Sequence, residues 1–190
     1  MQKALSKIPL SIRNEFIEKL AEISAKLGVR SEDLMVIFWL ETAGTMSPAI
    51  VNQDTGTVGL IQFSPATLKW LKYTTSEVKN MNHVKQLDVV YKYLKCFKKV
   101  SNLLDLYLTV FFPLAVGKRG SHVIGRTAAE QKEVGKDNPV FNGGKPVTID
   151  SIKAFLTIKA NEIGYDVPFN NSNKFATVIA CLLFVFILWL

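Results

Sequence analysis

Glu41 is the residue with most chemistry to offer. It closes a stretch, Leu34 to Leu40, made only of apolar side chains. A helix built from such residues is buried on every side, so a carboxylate at its end is costly to desolvate unless it keeps its proton. The helix dipole, negative at that end, pushes the same way. A carboxyl that stays protonated near neutral pH suits the donation of a proton to the leaving oxygen of a glycosidic bond. The competing reading is a helix-end glutamate that points into water. Little else in the chain offers chemistry. His83 and His122 are isolated and read as solvated or hydrogen-bonded, and no metal-ligand spacing, phosphate loop or Ser-His-Asp order is visible, so neither metal nor cofactor is expected.

Helices must position this glutamate. Ser11 to Leu27 carries Ile12, Phe16, Leu20, Ile23 and Leu27 on one stripe, with Gly28 as its stop. Ser31 reads as the N-cap of the Glu41 helix, with Glu32 and Asp33 in the first turn and an end near Gly44. Ala49 to Phe63 reads as short extended runs around Asp54-Thr55-Gly56, a hairpin or irregular loop. Ser64-Pro65 opens a further helix. Asn82 to Val100 predicts a surface helix with a lysine-rich outer face, and Leu103 to Phe112 a buried one ended by Pro113. Residues 117–147 are glycine-rich and aperiodic, with a short helix near Thr127 to Val134. Thr148 or Asp150 then caps a last helix through Ile163, with Gly164 behind it.

Around Glu41 the sequence resembles a known family. Glu41-Thr42, then Pro48-Ala49, Asn52, Gly56 and Gly59-Leu60-Ile61-Gln62-Phe63-Ser64-Pro65-Ala66-Thr67 are similar to the signature of the soluble lytic transglycosylases. In that family a Glu-Ser pair ends a buried helix, and a glycine-rich turn, a Gly-Leu-(Met/Ile)-Gln segment and a Pro-x-Thr helix start follow. Thr42 replaces the serine and keeps a hydroxyl. The resemblance covers Ser31 to Leu71 well and the remainder loosely. The later Ala-Tyr-Asn motif is missing; Tyr107 to Gly117 stands in its place and looks more like the divergent, phage-associated members.

This resemblance implies a mainly α, lysozyme-like fold with a small β element bearing the cleft. It also implies cleavage of peptidoglycan, Glu41 acting as acid and then base to leave a 1,6-anhydro end on N-acetylmuramic acid. Thr42, Gly59, Gln62 and Tyr107 become candidate substrate-binding residues, though Gln62 fits a loop brace and Tyr107 a core position as well. Gly56 and Gly59 would let the backbone approach a sugar ring. Asp54 is the nearby candidate for the second carboxylate of a lysozyme-type hydrolase, and also a plain Asp-x-Gly turn residue.

The 190 residues suggest one domain, here 1–164, then a polar linker 165–174 and an apolar run 175–190 broken only by Thr177. A sixteen-residue helix spans roughly 24 Å, close to a bilayer core, so a single C-terminal transmembrane anchor is expected, with a buried helix as the alternative. The net charge of +7 concentrates between Lys69 and Lys99, which suits an anionic polymer or lipid, or simply a solvated face. No nucleic-acid module is recognisable. Cys96 and Cys181 form no disulfide framework. A membrane-anchored glycan lyase with no signal peptide suggests a bacteriophage product in a virion or host membrane. Peptidoglycan strands, lipid and other virion proteins would then be its partners. A non-catalytic virion protein that only binds glycan or lipid is the rival from another class.

Overall fold

The computed structural model describes residues 1–97, 100 and 102–168. Its helices are α1 (Gln2–Leu5), α2 (Leu10–Leu27), α3 (Ser31–Glu41), α4 (Pro65–Trp70), α5 (Thr75–Lys79), α6 (His83–Leu94), α7 (Leu103–Phe111), α8 (Ala128–Asp137), α9 (Pro139–Asn142) and α10 (Ile149–Glu162). A 3-10 turn at Pro113–Ala115 follows α7. Local chemistry explains most boundaries. The Ser64 hydroxyl accepts from the Thr67 amide with Pro65 in the first turn, and Asn82, Asn102, Thr127 and Thr148 cap their helices in the same way. Ser31 is a correction: Arg30 occupies the cap position of α3, and the Ser31 hydroxyl donates to Ser24 instead.

The Glu41 helix lies at the centre. Leu34, Met35, Val36, Ile37 and Phe38 are fully buried, because α3 is enclosed by α2, α7 and α10. α2 also packs along α6. Two long-range hydrogen bonds fasten α10 and the residues just after it to α3: the Trp39 indole donates to Glu162 at 2.8 Å, and the Tyr165 hydroxyl donates to Asp33 at 2.8 Å. Residues 117–147 are tied to this core. Arg119 donates to both Asp105 carboxylate oxygens at 2.8 and 2.6 Å, Gly117 donates to the same side chain, and a bridge joins Val123 to Thr148.

Three expectations need correction. The small β element is reduced to isolated bridges, Val51–Val58 and Val58–Phe63, which hold the loop after α3 without forming a sheet. The polar linker does not begin at residue 165, since Tyr165 is buried and Val167 packs on the core. The expected transmembrane helix also goes. Among the described residues no helix is long and apolar enough to cross a membrane, and the run at 175–190 lies outside them. The eighteen-residue α2 shows why: Arg13, Glu15, Glu18, Lys19, Glu22 and Lys26 would each be expensive in hydrocarbon. Among the described residues the fold is therefore mainly helical with no spanning segment, and they give the expected membrane location no support.

Candidate active site

The site begins where α3 ends. Three carboxylates are withdrawn from water in the described residues, and two of them are satisfied. Burial raises Asp33, and the Tyr165 hydroxyl and nearby Arg30 work against it. Burial also acts on Asp105, but Arg119, the Gly117 amide and Asn102 outweigh it and hold the carboxyl below its usual range. Glu41 has no such partner. Among the described residues no hydrogen bond or ion pair reaches its side chain, and burial alone pushes its pKa from 4.5 up to about 8. The residue as a whole keeps partial access to solvent although its carboxyl is closely surrounded by protein. A proton donor needs that combination: low polarity around the acid and a way in for the substrate.

The backbone reverses sharply after Glu41. Ala43, Gly44 and Met46 take φ of 49°, 77° and 55°, left-handed conformations that cost energy in non-glycine residues and cluster at functional sites. Thr42 makes the reversal possible. Fully buried, its hydroxyl donates to the Phe38 carbonyl at 2.6 Å and accepts from the Met46 amide at 2.9 Å. Thr42 is thus a brace behind Glu41, and its expected contact with substrate is corrected.

Gln62 and Gly59 also turn inward. The Gln62 side chain accepts from the Thr57 hydroxyl at 2.8 Å and donates to the Gly59 carbonyl at 3.1 Å, so its amide is spent on its own loop. Gly59 leaves room for protein instead of a sugar. A Cβ there would sit 2.6 Å from Oε1 of Gln86. Gln86, fully buried on α6, accepts from the Leu60 amide at 3.0 Å and donates to the carbonyls of Pro48 and Val78. It is the keystone that sequence reasoning missed. The available signal was that Val89 and Val90 widen the buried face of α6 toward positions 83 and 86.

Tyr107 is brought to Glu41. Burial, and then the charge of Glu41, raise its hydroxyl far above the phenol range, so the phenol lies within electrostatic reach of Glu41, α7 being packed on α3. Its ring stacks on Phe111 at 5.7 Å, and Phe141 and Phe155 extend an aromatic wall behind it. Asp54 is exposed in the turn, where Asn52 accepts from its amide, and it exerts no effect on Glu41. Among the described residues no group of three His, Cys, Asp or Glu side chains is placed to hold a metal ion.

Neither a protein-family model nor a curated protein matches this chain. The functional reading therefore rests on the residues themselves.

Proposed function

We propose that this protein cleaves peptidoglycan between N-acetylmuramic acid and N-acetylglucosamine by the lytic transglycosylase route, with Glu41 as both acid and base. One observation carries the reading: Glu41 is a sheltered carboxyl without a partner, shifted by burial and by no second charge. At pH 7 most of its population is protonated. It would donate that proton to the glycosidic oxygen as the C1–O bond breaks, leaving a cationic C1. The new Glu41 carboxylate would then take the C6 hydroxyl proton while that oxygen bonds to C1. The 1,6-anhydro ring closes, no water is consumed, and Glu41 ends protonated again. The motif from Gly59 to Thr67 supports the same reading through the resemblance described above.

Product analysis tests it. Peptidoglycan digested by the protein should yield muropeptides lighter by one water than hydrolytic fragments, detected by mass spectrometry. Asp54→Asn should leave the rate essentially unchanged and the products anhydro, because its carboxylate is solvated and does not act on Glu41. A loss comparable to that of a Glu41 variant, with reducing ends in the products, would establish the two-carboxylate hydrolase instead. A peptidoglycan zymogram that stays uncleared would leave a glycan-binding protein.

A further inference from the structure

His83 is a buried group that the chemistry above does not use. It is the first residue of α6 and only 7% exposed. Its ring meets Phe16 of α2 edge-on at 6.1 Å. Nε2 is buried without any hydrogen-bond partner among the described residues, and the other nitrogen faces the backbone carbonyl of Met46. No backbone N–H among the described residues bonds to that carbonyl, so the imidazole N–H is what satisfies it. Met46 is itself fully buried in a left-handed conformation, with its amide held by Thr42. Thr42 in turn holds the Phe38 carbonyl, in the last turn of α3. A continuous hydrogen-bonded path thus runs from His83 through Met46 and Thr42 to the end of the helix that carries Glu41. One turn further along α6, Gln86 holds the carbonyl of Pro48, so the same helix face grips the chain on both sides of Ser47.

We propose that His83 is a positioning residue for Glu41, fixing the 42–46 reversal through the Met46 carbonyl, and that only its neutral imidazole does so. The proposal deepens the catalytic reading of Glu41 and rests on it for the activity effect alone. A protonated ring would place an N–H at Nε2 where no acceptor exists, in apolar surroundings at the positive end of a helix. Charged groups do not relieve this. From α2, Glu15 and Lys19 flank Phe16 and line an open surface groove with Lys85 and Asp88 of α6; Lys19 is paired with Asp88 at 2.9 Å. The reversal itself, residues 42–50, carries no ionisable side chain. Burial accordingly lowers the His83 pKa below 6.5, opposed only by the Met46 carbonyl. With a depressed folded-state value, the neutral ring's contribution is complete above 6.5 and is lost as pH falls from there through the folded value.

Two variants and two measurements test this. Asn at the position keeps an N–H for the Met46 carbonyl but cannot charge, and Phe keeps the shape and loses the N–H. The Glu41 carboxyl is titrated by carbon NMR on glutamate-labelled protein, and kcat and KM are measured against pH. In His83→Phe the Glu41 pKa should fall by at least about one unit as the reversal loosens and water enters. In the same variant kcat should fall roughly ten- to a hundredfold with KM little changed. His83→Asn should retain the raised Glu41 pKa and the wild-type kcat, and should lose the wild-type decline of kcat on the acid side. An unmoved Glu41 pKa in the Phe variant, or an unchanged acid limb in the Asn variant, overturns the proposal. If the Phe variant does not fold, the Asn variant alone decides. Should Glu41 titrate as expected while the wild type cleaves no glycan, the catalytic reading fails and the positioning role stands.

Discussion

In the Glu41→Gln variant, peptidoglycan cleavage is expected to fall at least about a hundredfold, the range for loss of an acid–base group, while the protein becomes harder to unfold at alkaline pH. Both effects follow from one fact. The folded-state pKa of Glu41 is raised by burial from 4.5 to about 8, so between those values the folded chain keeps a proton that the unfolded chain has released. The carboxyl is therefore tolerated fully below pH 4.5, and stability declines as pH rises from there toward 8. Glutamine never ionises and escapes the decline. Allowing for the solvent that still reaches Glu41, the gain near pH 8 is on the order of 2–4 kcal/mol, or about 5–10 °C in Tm. Thermal unfolding of both proteins at pH 4.5 and 8 checks this. A difference that does not grow with pH would mean that Glu41 is an ordinary solvated carboxylate and not the acid. In the wild type, cleavage should also decline as pH passes about 8, where the acid form is lost.

Gly59→Ala should be the most damaging single methyl in the loop. The residue sits at φ 86°, and the new Cβ would lie 2.6 Å from Oε1 of Gln86. A carboxamide is normally free to swing away. This one is not, because moving it strips the Leu60 amide and the Pro48 and Val78 carbonyls of their partner. Left-handed strain in alanine and the unsatisfied buried groups together amount to roughly 3–5 kcal/mol. Urea unfolding of Gly59→Ala, Gln86→Ala and the double variant reads the coupling directly. Once Gln86 is truncated the clash is gone, so the double variant should lose less than the sum of the singles, by about 1–3 kcal/mol. Strict additivity would refute the steric account.

What could be read in the sequence was local. The burial of α3 follows from seven consecutive apolar residues, and the Ser64-Pro65 and Thr148 starts follow from side chains that bond three residues ahead. Glu41 stood out for the same reason, as a charge with nothing beside it. The support around it was illegible because its bonds span the chain. Gln86 meets partners 26 and 38 residues away, and in a one-dimensional pattern it is one more polar residue on a lysine-rich helix. Gly59 was assigned the right property, closeness of approach, and the wrong neighbour. Tyr107 was a candidate for substrate binding with a core position as its alternative; it is buried, and only the packing of α7 on α3 reveals that the charge of Glu41 reaches its hydroxyl.

The fastening of α10 to α3 has a consequence for biosynthesis. The bonds from Trp39 to Glu162 and from Tyr165 to Asp33 close over separations of 123 and 132 residues. A ribosome adding about 5–20 residues per second delivers α10 on the order of ten seconds after α3. Throughout that interval the central helix α3 lacks one of its walls, and Glu41 lacks part of the enclosure that keeps it protonated. Nascent chains arrested at residue 145 should be cut by protease across α3, whereas chains extended past residue 168 and clear of the exit tunnel should resist. The emerging polypeptide is thus exposed to aggregation and to chaperones until synthesis of the folded region is nearly complete.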